Sequence, residues 1–167
     1  MGQFTLERTM NEASDKVWAA IADFGGIHRF HPGVKSSPII NGRSSGVGSQ
    51  RTCKMYNGMS VTEEIVEFHE GESMTVDVTK GALPVKNMQA VFRVFEVAEG
   101  VTRVTVEMSY RPRFGPLGYV MNPLIIRPSI RRLLGQVLAG LQQHLETGAL
   151  IGRGGSLIAA PSVTVTA

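Results

Sequence analysis

The chain has a single cysteine, no long apolar run and, over one stretch of its second half, no acidic residue. Each lack excludes something. Cys53 alone cannot close an internal disulfide, so nothing calls for an oxidising compartment. It reads first as a buried spectator thiol and only second as a nucleophile. No segment approaches the roughly 18 apolar residues of a membrane-spanning helix. The opening residues, Met1 to Arg8, lack a basic stretch followed by an apolar one, so no secretory signal is read and the cytoplasm is the expected address. Charged residues make up only 19%, but 43% are hydrophobic, which is ordinary for a folded chain and argues against disorder. A length of 167 residues suits one domain that buries a core unaided.

Familiar catalytic signatures are missing as well. There is no HExxH and no paired CxxC, and His28 and His31, three apart, have no third ligand placed by spacing, so no metal is expected. There is no GxSxG elbow. Gly46-Val47-Gly48 lacks a third glycine and precedes a strand pattern where a phosphate-binding loop would need a helix. No cofactor is expected.

The net charge of +3 is unevenly spread. Arg111, Arg113, Arg127, Arg131 and Arg132 fall in one stretch without an Asp or Glu. Such a block can face an anionic lipid, an acidic ligand or nucleic acid, or can be a solvated helix start. Nucleic acid is the least favoured, because no recognised motif or interleaved aromatic pattern accompanies the arginines.

Hydrophobic period sets the elements. Phe4 to Met10 reads as a strand. Ser14-Asp15 reads as the cap of a short helix with Val17, Trp18, Ile21 and Phe24 on its apolar face, stopped by Gly25-Gly26. A second short turn follows over Ile27 to His31. The period then becomes two: Val34 to Ile40, Ser49 to Tyr56, Met59 to Phe68, Met74 to Thr79, Asn87 to Val97 and Val101 to Tyr110. Asn57-Gly58 between the second and third of these is a strong hairpin signal. Met88, Ala90, Phe92 and Val94 share one face of their strand, and Val104, Val106, Met108 and Tyr110 share one face of the next; both sets are expected inward. Ile130, Leu133, Leu134, Val137, Leu138, Leu141 and Leu145 form one helical stripe that Gly148 ends. Leu117 to Ile126 reads as an earlier helical piece, broken or kinked by Pro123 and Pro128. The order is one strand, two short helices, six strands and a long helix: an α+β chain with an antiparallel seven-stranded sheet. Residues 1–148 form the domain, and 149–167 a tail expected to be flexible or to add to a sheet edge or a partner chain.

Several stretches together carry a likeness: Asp15-Lys16-Val17-Trp18-Ala19-Ala20-Ile21-Ala22-Asp23-Phe24-Gly25-Gly26-Ile27, then Pro32 and Val34; Val47-Gly48-Ser49-Gln50-Arg51-Thr52; Val61-Thr62-Glu63-Glu64-Ile65; and Gly81-Ala82-Leu83-Pro84-Val85. Over about residues 4 to 147 the chain resembles the polyketide cyclase/dehydrase and lipid-transport family of the START-like (SRPBCC, pollen-allergen-like) superfamily. The resemblance implies a helix-grip fold, a curved antiparallel sheet wrapped around a long C-terminal helix over an apolar cavity. Glu63 fits the family's acidic position. The chain departs from that pattern between Arg111 and Arg127, where Pro112, Pro116, Pro123 and nearby Pro128 suggest an enlarged mouth or a broken helix.

The expected function is binding, with transport as an extension, of a small hydrophobic ligand such as a lipid, polyketide or isoprenoid. Phe30, Met74, Met88, Phe92, Met108, Tyr110, Met121, Ile125 and Leu134 would form the wall, with Arg51, Arg111 or Arg131 meeting a polar or anionic group. The alternative is a cyclase or dehydratase using an acid/base pair drawn from His28, His31, Glu63 and Tyr110. The hairpin brings Arg51 opposite or diagonal to Glu63 or Glu64. On the outer face that is a modest surface salt bridge; on the inner face it is a polar anchor in an apolar cavity. A third reading is a partner-binding protein using the apolar tail. A monomer or homodimer is expected, with transient membrane contact left open.

Overall fold

The period-two pattern builds one antiparallel sheet, and the period-3.6 stripe closes it. A computed structural model describes residues 1–113 and 115–158. Strand β1 (Gly2–Met10) is followed by helix α1 (Ser14–Ala22) and a 3-10 helix (Phe24–Arg29). Strands β2 (Val34–Ser36), β3 (Gln50–Met55), β4 (Ser60–His69), β5 (Ser73–Gly81), β6 (Val85–Ala98) and β7 (Val101–Pro112) then follow. All neighbours are antiparallel, in the order β1-β7-β6-β5-β4-β3-β2. The sheet's inner face is apolar because alternate residues of each strand share a side. Val104, Val106, Met108 and Tyr110 are all buried, and Thr105 and Glu107 between them are more open.

After β7 the chain is helical almost without interruption. Helix α2 (Gly115–Met121) runs through a π turn (Asn122–Ile126) into α3 (Arg127–Thr147). The break expected around Pro123 and Pro128 is therefore absent. The wider π turn accommodates Pro123, and Pro128 lies near the start of α3, so the two prolines change the pitch without ending the helix. Leu134, Val137, Leu138 and Leu141 are buried against the sheet. Close approach is possible because Gly140 has no side chain: a Cβ there would run into the carbonyl oxygen of Phe30. Gly148 caps the helix in the left-handed region, at φ 69°.

Other expectations change locally. Ser14 and Asp15 are not the cap of α1; Ala13 is, with no side-chain bond, and Asp15 instead places its charge in the first turn, where the helix dipole favours it. Gly25-Gly26 does not stop the chain but lies inside the 3-10 helix, with the Gly26 N–H donating to the Asp23 carbonyl at 2.8 Å. The strand expected over Val34 to Ile40 is only three residues long, with Ile39 rejoining the sheet as an isolated bridge to Arg51. The first residues of the expected tail form a small hairpin, β8 (Leu150–Ile151) with β9 (Leu157–Ile158), seated on α3 through the buried Ile151. Residues 159–167 lie outside the described residues.

Candidate binding cavity

The Asn57-Gly58 turn decides the central feature. With Gly58 at φ 86°, it sets β3 against β4 so that Arg51 stands directly opposite Glu63, and Gln50 opposite Glu64. Alternation then puts the two pairs on opposite faces. Gln50 and Glu64 bond each other on one, at 2.9 Å. Arg51 and Glu63 face the interior, and Arg51 is 3% exposed. Of the two placements open to this pair, the surface one is excluded.

The pair is held from several sides. Arg51 Nε donates to Glu63 Oε2 at 2.6 Å, and Nη1 donates to the Phe24 carbonyl at 2.7 Å. Its guanidinium lies 4.0 Å from the centre of the Phe24 ring. Cys53 Sγ donates to the same Glu63 oxygen at 3.4 Å. Burial, reinforced by the Glu63 charge, pushes that thiol up to about 12, so at neutral pH it is an inert donor.

Next to the pair stands His31. Burial, and secondarily the Arg51 charge, lowers it to about 4 against an opposing pull from Glu63, so it is neutral near pH 7. Its Nδ1 accepts the Gly33 N–H at 3.0 Å. That bond places the ring proton on Nε2 and makes Nε2–H the group the ring can offer.

These three polar groups line a cavity of about 120 Å³ between sheet and helix. The remaining wall is apolar: Ile27, Met55, Val61, Val76, Val78 and Leu83, then Met88, Ala90, Phe92 and Met108, with Leu133, Leu134 and Val137 from α3. A second, larger space of about 570 Å³, the outer groove, lies next to it at the end of β5 and β6. Val78, Leu83 and Met88 line both.

The sheet itself makes this gap. Pairing of β5 with β6 ends at Asp77↔Gln89; β5 then stays with β4 as far as Gly81, and β6 stays with β7 back to Val85. A register shift between Lys86 and Gln89 contains Asn87 at φ 50°, the only non-glycine residue with positive φ among the described residues. The outer groove carries Lys80, Lys86, Arg111 and Arg113, with Asp77 as its one acid. Asp77 is already bonded by Gln89 at 2.7 Å.

Of the sequence-expected site residues, the structure brings Arg51, His31, Glu63, Met88, Phe92, Met108 and Leu134 together around the cavity. It does not bring the others there. Met74 packs in the core away from it. Phe30 is buried against His144, ring centres 6.4 Å apart. Met121 packs against the core edge, Ile125 is 54% exposed and Arg131 is on the surface. Tyr110 and Arg111 line the outer groove. The Tyr110 hydroxyl donates to Asn122 Oδ1 at 2.8 Å, and burial raises its pKa. His28 fastens the 3-10 helix instead: its Nδ1 lies 2.9 Å from Ser37 Oγ and 3.1 Å from the Gly25 carbonyl. Val61, Val76 and Val78 were legible by extending to β4 and β5 the alternation used for β6 and β7. Leu83 and the strand gap had no periodic signal.

The profile of one protein family, described as polyketide cyclase / dehydrase and lipid transport, matches residues 1–146. The chain belongs to that family. No curated protein sequence matches it. Among solved structures it is similar to protein XoxI of Bacillus cereus at 20% identity, covering 87% of this chain and 96% of that one, TM-score 0.73. A Thermus thermophilus protein gives 14%, 88%, 99% and 0.73, and ginseng major latex-like protein 151 from Panax ginseng gives 20%, 86%, 96% and 0.64, in the same order. At such identities the likeness shows the fold, a START-like, pollen-allergen-like helix grip, and nothing finer.

Proposed function

We propose that the protein binds a small amphiphilic molecule, with its apolar end in the interior cavity and its polar end in the groove between β5 and β6. The observation that carries this reading is that the two spaces share a wall: Val78, Leu83 and Met88 line both. A cavity of about 120 Å³ is too small for a whole lipid or polyketide. It suits a ring-sized group, since an apolar cavity of about 150 Å³ takes up a benzene-sized guest. The rest of a larger ligand extends past Val78, Leu83 and Met88 into the groove. Affinity comes chiefly from apolar ligand surface removed from water, at about 25 cal/mol per Å² before the costs of binding. Arg51, Glu63 and the His31 Nε2–H can orient a single polar substituent on the otherwise apolar buried end.

Binding is favoured over catalysis because the acid/base candidates are engaged. Glu63 is tied to Arg51, the His31 Nδ1 lone pair is occupied, His28 is in a structural bond, and the Tyr110 proton is given to Asn122.

Native mass spectrometry of the purified protein, together with titration of apolar carboxylates and alcohols, tests the reading. Ala90→Phe should plug the cavity without removing a buried contact and weaken binding at least about tenfold with little change in Tm. No bound molecule and no binding across the series, or binding undiminished in Ala90→Phe, would falsify it.

A further inference from the structure

The first half of the long helix carries a surface that the cavity does not explain. Leu117, Val120, Leu124 and Ile125 are exposed by 62%, 62%, 73% and 54%. Their spacing, i, i+3, i+7 and i+8, puts them on one helical stripe. Arg111 and Arg113 precede them and Arg127, Arg131 and Arg132 follow, all exposed. From Met108 to Leu145 the chain has no Asp or Glu, and among the described residues none of these five arginines lies within 4.0 Å of a carboxylate.

Large exposed side chains in contiguous turns of one helix mark a surface that something covers. The geometry points to an anionic lipid surface, on which helix α2, the π turn and the first turn of α3 lie flat, leucines inserted and arginines at headgroup level. The charge pattern selects this occupant. A second copy of the chain, joined about a two-fold axis, would set five arginines against five with no acid between them. A bilayer with anionic headgroups meets the same pattern favourably, and it accepts apolar side chains a few ångströms below those headgroups. No helix among the described residues is long and apolar enough to cross the bilayer, so the contact is peripheral. The next turns of the same helix supply Leu133, Leu134 and Val137 to the cavity, which places the lipid surface beside the cavity wall. The docking itself does not rest on the cavity being filled, and failure of one leaves the other intact.

Flotation with phosphatidylcholine vesicles, with and without phosphatidylglycerol, tests it, with oligomeric state followed by light scattering. The protein should float with the anionic vesicles only, and should come off them as salt near 0.5 M shortens the Debye length to about 4 Å. Leu124→Ser with Ile125→Ser should lower binding at least about tenfold, and Arg127→Gln with Arg131→Gln about twenty-five-fold, about fivefold for each charge. All four positions are on the surface, so the variants should keep the parent's Tm. Binding that ignores lipid charge, no binding at all, binding indifferent to both double variants, or a stable dimer that Leu124→Ser with Ile125→Ser dissolves would each overturn the proposal.

Discussion

The two halves of the long helix are built from the same kinds of residue and meet opposite surroundings. In α3, Leu134, Val137, Leu138 and Leu141 are shut against the sheet, and Gly140 lets the helix touch the Phe30 backbone. In α2 and the π turn, Leu117, Val120, Leu124 and Ile125 stand in the open while only Gly118 and Ile126 are buried among the described side chains. Apolar spacing therefore identifies a helix without saying what its apolar face covers. The gripping half gives the molecule stability, and the open half is free to give it a partner.

The strongest test of the closed side is its polar anchor. Arg51→Ala leaves Glu63 without its cation and the Phe24 carbonyl without its donor, and should cost about 3–5 kcal/mol in urea unfolding. Arg51→Met combined with Glu63→Leu should recover most of that loss, since the desolvation cost of the pair goes with the pair. A small loss in the single variant would mean that water reaches the pair.

Next comes a matched contrast within the helix. Leu141→Ala, at a residue 2% exposed, should cost about 3 kcal/mol. Leu124→Ala should change stability by less than about 0.5 kcal/mol. Equal losses would abolish the distinction between the two halves.

Acid gives a third test. The folded His31 titrates near 4 and the free imidazole near 6.5. Between those values the unfolded chain binds a proton that the folded one refuses, so stability is full above 6.5 and falls as pH drops towards 4. The full loss, below pH 4, is about 3 kcal/mol; about 2 kcal/mol of it should show between unfolding curves at about pH 7 and about pH 4.5, and His31→Gln should remove that part. A variant as acid-sensitive as the parent would place the titrating group elsewhere.

The smallest expected effect lies at the strand gap. Asn87→Gly relieves a residue held at φ 50° and should leave stability unchanged or raised by less than about 1 kcal/mol. A clear loss would show that the Asn87 side chain, and not its backbone conformation, holds the gap open.

Much of this was readable in advance. Alternation placed Met88, Phe92 and Met108 inward, and the Asn57-Gly58 turn brought Arg51 beside Glu63, because strand period and turn chemistry are local properties. Phe30, Met74 and Ile125 are apolar in the right segments, a criterion that cannot separate cavity from core or surface. Tyr110 faces inward as the alternation requires, yet it lines the groove beside the cavity and its hydroxyl is held by Asn122.

The amino-acid order by itself determined the elements, their sequence and the inward faces of the last strands, since each follows from periods of two or 3.6 residues and from turns spanning a few positions, and its motifs carried the likeness to the family. Only the tertiary structure decided which face Arg51 and Glu63 occupy, that β5 and β6 part, and that the leucines before Arg127 are left uncovered. Those outcomes depend on which distant segment arrives opposite each face, and no period within a segment encodes its neighbour.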